Sequence, residues 1–200
     1  MSKTIGITLG DQSGVGPEVV TAALNDPRTA TFLGDDISIR IIGNKIPASE
    51  ITHGSPNLTT AQASLDALEE SVRLANSGEI DAIVTAPVAK EWLHRVGFHY
   101  PGQTEFFADR LQCNDHAMCL TGAQLTVALV TIHVPLSTVP ESLSTSEIVR
   151  VGRLLETFCQ RRKQGAAHDG SNAQAAGPVA NPCLDTGKQV TAHAPLKKDI

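Results

Sequence analysis

The chain has 200 residues, 41% of them apolar, enough for one domain with a core or for one domain and a fraction. Its formal charge is −5, from 16 basic and 21 acidic residues, and aromatic side chains make up only 4%. That balance argues against a nucleic-acid partner, which calls for a basic stripe or a platform of stacking rings, though one local basic site would still suffice for an anionic substrate.

No apolar run approaches the ~20 residues that span a bilayer, and no basic-then-apolar leader opens the chain. The expectation is a soluble, cytoplasmic protein without a membrane partner. Cys113, Cys119, Cys159 and Cys183 include no C-x-x-C pair, so they read as free thiols in a reducing cytosol.

Residues 4–9 are a β-prone run around Ile5 and Ile7. Gly10-Asp11-Gln12-Ser13-Gly14-Val15-Gly16 follows as a tight turn. Pro17 falls where a helix places its first residue, because its missing N–H costs nothing there, and Glu18 suits the positive end of the helix dipole. A strand, loop and helix of this kind brings backbone N–H groups to a helix N-terminus, which favours anions. The spacing G-x-x-x-G-x-G-P-E is neither the dinucleotide fingerprint nor the P-loop, so on pattern alone a plain turn is the better reading.

Residues 38–42 read as a second strand and 43–58 as a loop. Thr59 or Thr60 is expected to cap a helix reaching Ser77, in which Leu65, Leu68, Val72 and Ala75 recur at three- and four-residue steps before Gly78 stops it. Residues 80–85 form a third strand, apolar enough to be buried in a parallel sheet. Pro87 marks a helix start and Gly97 its end; Thr104 opens another helix, to Leu111. Residues 117–120 and 125–132 are two strands joined as a hairpin around Gly122. Ser144 and Glu147 match a capping box, and the helix behind it carries Ile148, Val151, Leu154, Leu155 and Phe158 on one face.

From residue 165 to 200 the period is lost and no aromatic residue appears. Such a stretch buries too little to offset an ordering entropy of roughly 1–2 kcal/mol per residue. The expectation is an α/β domain over residues 1–164, a mostly parallel sheet with flanking helices, followed by a disordered tail over 165–200.

Two segments hold the candidate functional residues. In Pro101-Gly102-Gln103-Thr104-Glu105-Phe106-Phe107-Ala108-Asp109, Gly102 allows close backbone approach, Thr104 presents a hydroxyl at a helix N-terminus, and the two phenylalanines anchor the helix in the core. Read alone, Thr104 is an ordinary N-cap. The seven histidines show no H-x-H or H-E-x-x-H pair, so each taken alone reads as structural or surface. His133 stands out because it follows the strand 125–132, and ligands of open α/β sheets gather at strand carboxyl ends.

Four segments, in order, resemble the 4-hydroxythreonine-4-phosphate dehydrogenase family. Residues 10–18 are similar to its G-D-P-A-G-I-G-P-E opening, with Gln12 in place of proline, and also to the opening of the isocitrate and isopropylmalate dehydrogenases that share the overall fold. Residues 81–90 match its D-A-x-V-T-x-P-x-x-K, although Lys90 itself reads as a solvated helix lysine. Residues 102–109 match its G-H-T-E-F-F-A-D, with Gln103 where the family has histidine. Residues 127–136 match its V-A-L-x-T-x-H-x-P-L.

The resemblance implies an isocitrate-dehydrogenase-like fold and NAD-dependent oxidation of 4-phosphooxy-L-threonine to 2-amino-3-oxo-4-phosphooxybutanoate, which decarboxylates to 3-amino-2-oxopropyl phosphate in pyridoxal 5'-phosphate biosynthesis. It implies substrate contacts at Gln103 and Thr104, and His133 as a ligand of a divalent metal (zinc, magnesium or cobalt) in a site shared across a homodimer. Glutamine keeps hydrogen bonding but cannot carry a charge, so a charge-assisted contact to an anionic substrate is lost. The resemblance covers only the family's N-terminal portion, without its other two metal histidines. A truncated, inactive relative is therefore a second reading. A sister dehydrogenase acting on phospho-threonate or a dihydrodiol is a third.

Overall fold

The computed structural model describes residues 2–122 and 124–169. β1 (Lys3–Thr8) lies between β2 (Ile37–Ile42) and β3 (Ala82–Thr85), and both pairings are parallel. Parallel neighbours need crossovers: α1 (Gly16–Asn25) and α2 (Pro27–Leu33) connect β1 to β2, and α3 (Leu58–Ser77) connects β2 to β3. Gly6 sits mid-strand because a Cβ there would lie 2.6 Å from Ile42 Cδ1 and 2.8 Å from Ile80 Cδ1. Those isoleucines fill the face covered by α3, where Leu68, Val72, Leu74 and Ala75 pack with Ile83. The opposite face is a smaller cluster of Ile7, Leu9, Val20 and Ala86. The α/β class and the parallel sheet expected from the sequence are what the chain forms.

The ends of elements differ from expectation for local reasons. α3 is capped by Asn57 rather than by Thr59 or Thr60: the Thr60 N–H donates to Asn57 Oδ1 at 3.0 Å, and the Asn57 N–H donates to Thr60 Oγ1 at 3.1 Å. Gly78, at φ 74°, closes the helix in the left-handed conformation. α4 (Lys90–Arg95) starts three residues after Pro87, whose carbonyl is held by the Asp11 N–H at 2.9 Å. α5 (Gln103–Arg110) is capped by Gly102 in extended conformation, so Thr104 is its second residue and not its cap.

β4 (Met118–Thr121) and β5 (Thr126–Leu129) form an antiparallel hairpin. β5 stops at Leu129 rather than running to residue 132, because its partner begins at Met118 and offers nothing to pair with residue 130. The Thr121 and Thr126 hydroxyls lie 2.7 Å apart, and the Arg162 guanidinium donates to Thr121 Oγ1 at 2.7 Å, seating α7 (Thr145–Asp169) on the hairpin. The short α6 (Val139–Ser142) precedes α7, whose first turn is capped by Ser144 Oγ accepting from the Glu147 N–H at 3.2 Å. Val151, Leu154 and Phe158 are buried on the expected face, whereas Ile148 is exposed.

α7 continues to Asp169, five residues past the expected end of the domain; the rest of the expected tail, with His193 and Cys183, lies outside the described residues. Cys119 and Cys159 are free thiols, but Cys113 is disulfide-bonded, against the sequence reading. Among the described residues no helix is long and apolar enough to cross a membrane.

Candidate active site at the N-terminus of α5

The glycine loop after β1 is a packed turn. A Cβ on Gly10, at φ 68°, would lie 2.1 Å from the Pro87 carbonyl oxygen, and one on Gly16 would lie 2.2 Å from the Leu9 carbonyl oxygen. Inside the turn, buried Asp11 accepts from the Ser13 N–H at 2.9 Å, the Ser13 hydroxyl at 2.6 Å and the Thr60 hydroxyl at 3.3 Å. Gln12, where the resemblance has proline, donates from Nε2 to the Asn44 carbonyl at 2.7 Å and accepts the Ile46 N–H at 3.1 Å. Its side chain clasps the segment after β2. The glycines serve close packing, as the spacing alone suggests.

The candidate residues meet elsewhere. Phe106 and Phe107 are fully buried, with Phe98, Tyr100, Phe106 and Phe107 stacked in successive contacts at 5.2 to 5.4 Å between ring centroids. This anchor fixes the first turn of α5, where Gln103 and Thr104 are half-buried and Glu105 is the third residue. Tyr100 also donates to Asp109 on the same helix, which raises its own hydroxyl pKa because the carboxylate holds the proton.

His133 lies four residues beyond β5, in a turn, with φ 58°. A left-handed non-glycine residue is uncommon, and histidine is among the types that tolerate it. Its side chain is 43% exposed, and Nε2 stands 3.6 Å from Glu105 Oε1, beyond direct hydrogen-bond range. Gly102 makes room for this approach: a Cβ there would lie 2.9 Å from Glu105 Oε2 and 3.4 Å from His133 Nε2. The fold thus brings His133 to the helix turn that carries Gln103 and Thr104. His133 is not at the carboxyl end of a parallel strand as expected, because β5 belongs to an antiparallel hairpin and ends early.

Two acceptors of this turn, Gln103 Oε1 and Glu105 Oε2, are buried without a hydrogen-bond partner. The amide of Gln103 could present its nitrogen instead by a flip, but a carboxylate has only acceptors. Such a locus suits a cation or a donor-bearing ligand. Among the described residues no three His, Cys, Asp or Glu side chains cluster closely enough to hold a metal alone. Glu105 also lines a cavity of about 290 Å³ with Asp109, Asn114 and His116. A larger cavity, about 450 Å³, lies at the end of β2, but its charged residues are engaged elsewhere: Arg40 with Glu79 at 2.9 Å, Glu70 with Arg73 at 2.7 Å, and Asp66 with Gln62 at 2.8 Å.

The sequence profile described as "Pyridoxal phosphate biosynthetic protein PdxA" matches residues 15–169, a stretch that contains both α5 and His133. The chain belongs to the PdxA family. It is similar to the 4-hydroxythreonine-4-phosphate dehydrogenase of Trichlorobacter lovleyi, 34% identical over 186 residues, covering 75% of this chain and 55% of that protein. The protein of the same name from Zymomonas mobilis is 34% identical over 183 residues, covering 76% and 55%. Among solved structures, 4-hydroxythreonine-4-phosphate dehydrogenase from Klebsiella pneumoniae superposes with a TM-score of 0.68 at 25% identity, over 80% of this chain and 59% of that one. The chain therefore spans about half the length of the PdxA relatives it matches, 55% in both curated cases.

Glu105 is the residue that sequence reasoning passed over. It stands inside the motif that singled out Gln103 and Thr104. Its signal was an acidic side chain in a helix first turn, three residues after a glycine.

Proposed function

We propose that this chain supplies one part of the active site of an NAD- and divalent-metal-dependent dehydrogenase. The substrate is 4-phosphooxy-L-threonine, oxidised at its C3 hydroxyl to a β-keto acid that loses carbon dioxide to give 3-amino-2-oxopropyl phosphate. One observation carries this reading: His133, some 30 positions later in the sequence, stands 3.6 Å from Glu105 in the anchored helix turn that carries Gln103 and Thr104, within the stretch that matches the PdxA profile.

Gln103 and Thr104 hold the phosphorylated substrate, with the hydroxyl and first-turn N–H groups donating to its anionic oxygens. His133 contacts the metal. The residues present fit a divalent ion, since a half-exposed imidazole faces a carboxylate whose buried oxygen has no donor, and imidazole with carboxylate suits zinc or cobalt better than magnesium. Such an ion, when bound, supplies Lewis-acid polarisation of the substrate oxygen. The phenylalanine anchor keeps the turn in place so that binding does not have to order it. A homodimer sharing the site brings in further donors.

Gln103 favours a second reading, a sister dehydrogenase for phospho-threonate or a dihydrodiol, because it stands where the resemblance has a histidine, a side chain able to carry positive charge. Calorimetric titration of the chain with 4-phosphooxy-L-threonine, phospho-threonate and a cis-dihydrodiol, each with zinc and NAD, separates the two. Saturable binding of the phosphothreonine is expected. Preference for either of the others replaces the first reading with the second, and binding of none overturns both.

A further inference from the structure

We infer that Glu105 and His133 together form a two-donor half-site for a divalent transition-metal ion, with Glu105 as a direct ligand. This rests on the metal reading of His133 and adds to it a second donor from the same chain.

Three observations carry it. First, His133 Nε2 and Glu105 Oε1 face each other at 3.6 Å. That is too long for a hydrogen bond, which would close to about 2.7–3.2 Å. Two ligands each ~2.1 Å from a tetrahedral ion stand about 3.4 Å apart. The pair is thus spaced as two donors to one ion are spaced. Second, Glu105 Oε2 is buried and accepts nothing. Leaving a buried carboxylate oxygen without a donor is unfavourable, and a bound cation removes that cost. Third, Gly102 leaves open the space both groups reach, since its Cβ would lie 2.9 Å from Oε2 and 3.4 Å from Nε2. Were Glu105 merely orienting the imidazole, a closed hydrogen bond to one ring nitrogen would be expected. With no third donor nearby among the described residues, the remaining coordination positions fall to water, substrate or groups from elsewhere in the assembly.

The test is titration of the full chain with Zn²⁺ by calorimetry, alongside histidine-ring ¹⁵N NMR to identify the nitrogen that is bound. The variants are Glu105→Gln, His133→Ala and Gly102→Ala. Gly102 has φ −161°, an extended conformation open to any residue, so alanine there acts by pushing the carboxylate aside while keeping both donors. Circular dichroism and thermal melting establish that each variant is folded.

The expected result is saturable binding, a coordination shift at His133 Nε2, and a loss of about tenfold or more in affinity in all three variants. Loss in His133→Ala with no loss in Glu105→Gln or Gly102→Ala overturns Glu105 as a ligand and leaves the reading of His133 standing. Loss in Glu105→Gln alone overturns the pairing. Unchanged affinity in every variant, or no saturable binding up to about 1 mM Zn²⁺, overturns the half-site and the metal reading of His133 together.

Discussion

Gly10→Ala is expected to be one of the most destabilising single-methyl changes in the chain. Gly10 has φ 68°, and its missing Cβ would lie 2.1 Å from the Pro87 carbonyl oxygen and 2.9 Å from the Ala86 carbonyl carbon. Both contacts are backbone, so no side-chain rotation relieves them. That carbonyl is also pinned by the Asp11 N–H at 2.9 Å, so relief means breaking the link between the β1 loop and the end of β3. A left-handed non-glycine residue costs about 1–2 kcal/mol. Overpacking against a fixed neighbour adds about 1–3 kcal/mol. The sum is roughly 2–5 kcal/mol, which at about 2–4 °C per kcal/mol for a domain of this size lowers the melting temperature by on the order of 10 °C. Gly78→Ala is the control: φ is 74°, but nothing lies within 4 Å of the added methyl, so only the conformational cost of about 1–2 kcal/mol applies. Thermal melts by circular dichroism compare the two variants. Equal losses would refute the claim that this glycine is demanded by close approach of two strand ends.

Gln12→Ala removes both hydrogen bonds to the segment after β2, and amide exchange at Ile46 should speed up by about tenfold, for a loss of roughly 1.4 kcal/mol, while exchange in β1 stays unchanged. Gln103→His restores a side chain that can be charged, so affinity for a phosphorylated substrate should rise as pH falls through about 6.5, by on the order of tenfold; a pH-independent affinity in the variant would count against contact between residue 103 and the anion. Burial pushes the Asp81 carboxyl up, but the Lys3 ammonium at 2.6 Å and the Thr4 N–H at 2.8 Å outweigh it and hold its pKa below the ordinary carboxylate value. A lowered pKa means stability that is present above the unfolded value and lost as the carboxylate protonates. Melts taken below about pH 4 should therefore fall more steeply for the native chain than for Asp81→Asn.

Much of the fold was legible because its signals are local. The three- and four-residue steps of Leu68, Val72 and Ala75 marked the buried face of α3, and Gly78 marked its end. Strand ends and helix starts were less legible where they depend on partners remote in sequence. β5 ends at Leu129 because β4 begins at Met118, and no property of residues 130–132 announces that. Pro87 does not open a helix, because the loop after β1 occupies its carbonyl. The site divides the same way. The resemblance singled out Gln103 and Thr104 in one motif and His133 in another, and the fold brings His133 to the helix turn of the other two. The part proposed for Glu105 could not be read from the sequence, because the 3.6 Å gap to an imidazole 28 positions later and the space left by Gly102 exist only in the folded chain.

The central claim is that this helix turn and His133 serve a dehydrogenase. The most direct measurement is calorimetric titration of the chain with 4-phosphooxy-L-threonine in the presence of zinc and NAD, run beside Thr104→Ala and His133→Ala. The account predicts saturable binding by the native chain and a loss of about tenfold or more in affinity in each variant, from a lost hydrogen bond to a charged oxygen in the first and a lost metal contact in the second. Binding left intact by both substitutions, or a folded, zinc-supplied chain that binds no phosphothreonine, would contradict it.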